Sequence, residues 1–167
     1  MDKTALLQWK LNIATYQQRV RSSQPEEQSC LFEPDPLTAT PNTIDPFYLK
    51  LNNFCFFEWP ASKYPSKPCI YFVIDVNVPL ILYIGETCKA NQRWKGVHDC
   101  KRYVLNYREL HFKHDTPTAI NTTFYWDAPI ADRLRLWLEA GLITRWRSPF
   151  NKENWHFWGT PFIGNKP

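Results

Sequence analysis

The sequence predicts an α/β chain of the α+β kind: a small three-stranded antiparallel sheet flanked by helices, with an N-terminal helical extension. Three observations carry that expectation. Two β-branched and aromatic runs, 70–74 and 80–84, flank a segment that can turn, Val76-Asn77-Val78-Pro79. A third such run, Asn121-Thr122-Thr123-Phe124-Tyr125-Trp126, comes later. Helical periodicity fills the stretches before, between and after them.

Taken in order, residues 3–22 read as a helix because Leu6, Trp9, Ile13, Tyr16 and Val20 recur at spacings of three and four. Such a stripe must be covered, either by the domain core or by its own copy in a homodimer, as a two-heptad seam. Residues 22–46 hold five of the fourteen prolines, so regular structure is not expected there. The aromatic segment Phe47 to Trp59 is expected to lie on the domain. Strands 70–74 and 80–84 then form a hairpin. Residues 89–110 are helix-compatible, with Trp94, Val97, Lys101 and Val104 along one side and Gly96 weakening the pattern. After the third strand, Pro129 sits where a helix can start, and Leu134, Leu138, Leu142 and Trp146 define the face of a helix over 130–146. From Ser148 onward the chain reads as irregular. The expected division is an N-terminal helix, 1–22, a proline-rich and aromatic connector, 23–68, and the main domain, 69–167.

Composition excludes several classes. The 167 residues suit one core. Five cysteines, none in a CxxC pair, indicate neither a disulfide framework nor a zinc ribbon. The first residues, with Asp2 and Gln8, do not read as a secretory signal, and the longest apolar stretch is broken by Asp75, Asn77 and Pro79. A soluble, cytoplasmic protein with no membrane span is expected. Net charge is +4, and all of the excess lies beyond residue 68. Within it, Lys89, Arg93, Lys95, Lys101 and Arg102 cluster ahead of Arg108 and Lys113, where a polyanion would be drawn. A solvated helix face is the plainer account of the same residues.

The chemistry-bearing residues form a dispersed series. Tyr71 lies in Cys69-Ile70-Tyr71, Tyr83 in Tyr83-Ile84-Gly85, and Arg93-Trp94, His98, a helical Glu139 and a loop Asn151 follow. Two strand tyrosines can share a face because side chains alternate and paired strands bring opposite positions within about 5 Å. A free phenol has a pKa of about 10, so it needs help to act as a base. Arginine suits a phosphate through its planar fork. Glu139 flanks the face expected to be buried, where a carboxylate requires a cation, either a metal ion or Arg135 one turn earlier. Asn151 and the nearby Asn154 are also ordinary turn residues. His111, His114 and Asp115 lack a fourth ligand at a usual spacing.

This series resembles the GIY-YIG nuclease superfamily over about residues 69–151. The resemblance implies a central antiparallel sheet with flanking helices and a one-metal hydrolysis of a DNA strand. It makes Tyr71 the general base, Tyr83 a positioning residue, Arg93 the phosphate clamp, Glu139 the ligand of Mg²⁺ or Mn²⁺, and Asn151 a second positioning residue. Lys89, Lys95, Lys101 and Arg102 would join Arg93 in holding DNA. Two departures stand out: Cys69 replaces the first glycine of the motif, and the histidine falls five residues after Arg93, at His98, instead of four. That extra residue turns the side chain by about 100° on an ideal helix. A small stand-alone endonuclease of restriction, repair or junction-cleaving type is the expectation. A binding module that kept the fold without cleavage, and an RNA-directed nuclease, are the alternatives.

Overall fold

The computed structural model describes residues 1–23, 39–54, 65–90 and 99–159. Arg93, Lys95 and His98, together with Cys30, Cys55 and the 160–167 tail, lie outside them. The described elements are α1 (Lys3–Ser22), a 3-10 turn (Pro46–Tyr48), β1 (Asn52–Asn53), β2 (Cys69–Asp75), β3 (Leu80–Thr87), α2 (Asp99–Lys113), β4 (Ile120–Tyr125), α3 (Asp132–Trp146), a second 3-10 turn (Lys152–Asn154) and α4 (Trp155–Trp158). The class is mixed α+β, as expected. One strand exceeds the expectation: the sheet is antiparallel with order β1-β4-β2-β3, and β1 pairs with β4 over Asn52 and Asn53 alone.

The expected hairpin is β2–β3, closed by the pairing of Asp75 with Leu80. β2 is central, with all seven residues buried, because helices cover both faces. Alternation therefore sorts its residues between two cores. Cys69, Tyr71 and Val73 face α1 and α2, meeting Leu6, Ile13, Tyr103, Val104 and Tyr107. Ile70, Phe72 and Ile74 face α3, meeting Leu138, Leu142, Ile143 and Trp146. Phe47 and Leu49 of the aromatic segment lie on this second core, Phe47 edge-on to Trp146 at 5.9 Å, and Phe54 lies on the first.

The stripe on α1 is covered by the chain's own sheet. Asp2 caps this helix by accepting from the Ala5 N–H at 2.8 Å. The innermost row is Leu6, Lys10, Ile13 and Gln17, with Trp9, Tyr16 and Val20 at its margins. Polar residues in that row have built partners: Lys10 Nζ meets Asp75 Oδ2 at 2.9 Å, and the Gln17 amide bonds the Ile81 N–H, the Ile81 carbonyl and the Trp146 carbonyl. The seam that would have served a second copy is thus occupied within the protomer, and α1 is part of the domain. No helix of the described residues is long and apolar enough to cross a membrane.

Candidate active site

The site is organised by the outer edge of β3, the last strand of the sheet. An edge strand presents unpaired N–H and C=O groups, and here side chains and loops take them in turn. Gln17 bonds Ile81, and the Phe150 N–H donates to the Leu82 carbonyl at 2.9 Å. Asn151 closes a two-way pair with Ile84, accepting its N–H and donating to its carbonyl, both at 2.9 Å. Glu139 Oε1 accepts the Glu86 N–H at 2.9 Å. Asn151 and Glu139, from the loop after α3 and from α3 itself, thereby dock on strand residues two apart, Ile84 and Glu86.

On the face toward α1 and α2, the two tyrosines stand side by side. Register pairs Tyr71 with Gly85 and Tyr83 with Val73, so the phenols are diagonal neighbours, with ring centroids 6.0 Å apart. The Tyr71 ring lies across Gly85. A Cβ at Gly85 would lie 2.8 Å from Cε1 and closer still to Cζ and Oη. Glycine is needed there for close approach, since this residue adopts no left-handed backbone. Tyr71 is wholly buried, whereas Tyr83 is partly exposed and lines a cleft of about 470 Å³.

That cleft is walled by Tyr83, Tyr103, Glu139 and Asn151, with Asp99 and Lys152 joined across it by an ion pair of 3.3 Å. Glu139 reaches it because α3 starts after Pro129 and packs its Leu138, Leu142 and Ile143 face on the sheet, leaving Glu139 half-buried at the margin of that face. Asp132 in the first turn favours the helix dipole, and Arg147 ends the helix in a left-handed conformation. The Asn154 amide caps the end, donating to the carbonyls of Ile143 and Ser148. Asn151, held also by the Ser148 hydroxyl at 2.7 Å, has its amide committed to Ile84. It therefore fixes the strand between Tyr83 and Gly85.

Arg135 is directed elsewhere than the intrahelical pair the sequence offered. Its guanidinium meets Glu86 Oε2 and Asp132 Oδ1, both at 2.5 Å, and the carbonyls of Pro129 and Ile130. Neither Glu86 nor this role of Arg135 was read from the sequence. The position of Glu86 directly after Gly85, at the end of the strand, was the available signal.

Other candidates fall into place around the cleft or away from it. Lys89 is exposed just beyond β3, and its N–H donates to the Thr87 hydroxyl. Arg102 pairs with Asp99 at 3.0 Å, and Lys101 is half-buried beside it on α2. His111 is buried against Tyr107 and bonds Thr116, while His114 bonds the Met1 carbonyl. The Cys69 thiol is pushed up to about 12, by burial first and then by the charge of Glu86, so thiolate chemistry is excluded.

Among the described residues no three His, Cys, Asp or Glu side chains gather as a metal cluster. Zinc is therefore ill matched to them. A hydrated Mg²⁺ or Mn²⁺ fits better: such ions keep several waters and need one or two carboxylates, which Glu139 supplies in a cleft with room for the waters. No family model, curated protein or solved structure matches this chain.

Proposed function

We propose that the chain is a metal-dependent endonuclease that hydrolyses DNA phosphodiester bonds, with one site per chain. One observation carries the reading: Tyr83 and Glu139 line one cleft, held by the same edge strand on which Gly85 admits the ring of Tyr71. Three chemical groups from distant parts of the sequence meet there, in the order in which the GIY-YIG resemblance lists them.

Glu139 would hold the Mg²⁺ or Mn²⁺, which when bound supplies Lewis-acid polarisation of a phosphate oxygen and neutralises charge on the leaving oxyanion. Tyr83, the phenol exposed to the cleft, is placed to meet the attacking water and take its proton. The resemblance assigns that proton to Tyr71. Its complete burial supports giving Tyr71 the part of fixing the Tyr83 ring instead. Arg93 is the phosphate clamp of this reading, with Lys89, Lys95, Lys101 and Arg102 drawing the strand in and His98 a further catalytic candidate. Asn151 keeps the strand in register through Ile84. Cutting both strands of a duplex takes a homodimer or two successive events. The free thiols at Cys69 and Cys88 support a cytoplasmic, reducing setting.

The test is cleavage of supercoiled plasmid, branched DNA and matched RNA by purified protein with Mg²⁺ or Mn²⁺, beside EDTA and Glu139→Gln controls. DNA cutting that needs the metal and falls more than about 100-fold in Glu139→Gln is expected. DNA binding without cutting under either metal refutes catalysis on DNA, and cutting confined to RNA moves the assignment to an RNA-directed nuclease.

A further inference from the structure

Two carboxylates meet at the end of β3, and the protein treats them differently. The Glu86 N–H donates to Glu139 Oε1, which brings the two residues together at one margin of α3. Glu139 lines the cleft and Glu86 does not. The cause is Arg135, whose side chain is 3% exposed and whose Nε lies 2.5 Å from Glu86 Oε2. Three more of its N–H groups are held by the Pro129 carbonyl at 3.1 Å, the Ile130 carbonyl at 2.9 Å and Asp132 Oδ1 at 2.5 Å. A guanidinium held by four acceptors is fixed in place, and only arginine has that fork. The Glu86 side chain is therefore anchored to the first turn of α3.

We propose that Arg135 and Glu86 are positioning residues of the metal site: Arg135 draws the Glu86 carboxylate out of the cleft, so that Glu86 contributes its backbone N–H, which orients Glu139, and withholds its charge. This rests on the proposed nuclease reading. It explains why, of the two glutamates that meet at the end of β3, Glu139 joins Asp99 and Glu153 in lining the cleft and Glu86 does not. A carboxylate added directly beside Glu139 would bind the cation more tightly and strip waters from it, whereas a mostly hydrated ion suits hydrolysis. It also explains why a buried arginine sits on the helix that carries the metal ligand.

The experiment measures Mn²⁺ binding by the metal-free protein, from the electron paramagnetic resonance of free Mn²⁺, beside plasmid cleavage. The proteins are wild type, Glu139→Gln, Glu86→Gln, Arg135→Gln and the Glu86→Gln/Arg135→Gln double variant. Releasing Glu86 in Arg135→Gln is expected to tighten Mn²⁺ binding by about threefold to tenfold while cleavage falls. The double variant is expected to return the affinity to within about twofold of wild type. A merely structural arginine gives no tightening and no reversal, and that result overturns the proposal. Where Arg135→Gln does not fold by circular dichroism, Glu86→Gln decides: affinity within about twofold of wild type supports the proposal, and a loss of about tenfold makes Glu86 itself a ligand and overturns it. Wild type that cuts DNA through Glu139 while Arg135→Gln binds Mn²⁺ unchanged removes this inference alone. Wild type that neither binds Mn²⁺ nor cuts nucleic acid removes the nuclease reading with it.

Discussion

Asp75 offers the sharpest test of how α1 is built into the domain. This carboxylate, at the end of β2, has no exposed surface and collects five donors. Lys10 Nζ at 2.9 Å, the Tyr107 hydroxyl at 2.7 Å and the Thr118 hydroxyl at 2.8 Å meet Oδ2, and the N–H groups of Asn77 and Ala119 meet Oδ1 at 3.0 Å. Asp75→Ala strands the Lys10 ammonium, itself 3% exposed, leaving it the Pro117 carbonyl at 3.4 Å as its one hydrogen-bond acceptor among the described residues. Breaking a buried pair on one side costs about 3–5 kcal/mol, against a total stability of about 5–15 kcal/mol for a domain. At about 2–4 °C per kcal/mol for a chain of this size, Tm should fall by about 6–20 °C. Lys10→Met leaves Asp75 with its other four donors and should cost less, about 1–3 kcal/mol. Urea unfolding of Asp75→Ala, Lys10→Met and Lys10→Met/Asp75→Ala measures the coupling. A cost below about 1 kcal/mol for Asp75→Ala, the range of an exposed pair, would falsify the account.

The same cluster fixes a pH dependence. Burial pushes the Asp75 carboxyl up, but the Ala119 N–H, the Tyr107 hydroxyl and the Lys10 ammonium outweigh it and hold the group below the usual carboxylate range. Burial, with Lys10 adding to it, holds His111 below its ordinary value. Both folded-state values lie below the unfolded ones, so the unfolded chain binds more protons as pH falls and stability drops. The His111 part is complete above about pH 6.5 and declines below it, and the Asp75 part declines from about pH 3.9 downward. The urea midpoint should therefore fall as pH drops below about 6.5, then fall further below about pH 4, and Asp75→Ala should flatten the second step.

Three further outcomes test the site. Gly85→Ala puts a methyl group into the Tyr71 ring and should cost about 1–3 kcal/mol in urea unfolding while lowering DNA cleavage by at least about tenfold; unchanged activity would remove the close approach from the account. Tyr83→Phe should lower cleavage by about 100-fold at unchanged Tm, and Tyr71→Phe by less; the reverse order returns the base to Tyr71. Asn151→Ala uncovers both polar groups of Ile84 and should destabilise by about 2–4 kcal/mol, with amide exchange at Ile84 accelerated in NMR, whereas a role confined to substrate contact predicts neither change.

The parts of the fold that sequence periodicity reveals are those whose residues answer to near neighbours. The stripe on α1 and the runs in β2, β3 and β4 carry their period locally, and the structure places these elements within a few residues of the expectation. Lys10 and Gln17 were invisible as core residues, because their partners Asp75, Ile81 and Trp146 lie 64 to 129 residues away. β1, two residues long, is too short to show an alternation. On α3, Leu138, Leu142 and Trp146 are buried as expected, but in the first turn Leu134 is 47% exposed while Arg135 is buried, since an arginine can enter only where Glu86 waits for it. At the site, the tyrosines and Glu139 were legible from their order along the chain. That Asn151 would serve the backbone of Ile84 was not, because only the folded sheet brings residue 151 to residue 84.

The capped edge of β3 has a consequence for protein handling. An open edge invites another strand, and with it aggregation, so each group that covers β3 also protects solubility. Glu139 is one of those covers. Under the proposed nuclease reading, inactivation by Glu139→Ala would remove the acceptor for the Glu86 N–H and leave one gap in the guarded edge, whereas Glu139→Gln keeps a carbonyl oxygen in that position. An inactive form meant for trapping with an intact nucleic acid should therefore be made with glutamine, and precipitation of the alanine form need say nothing about its affinity for substrate.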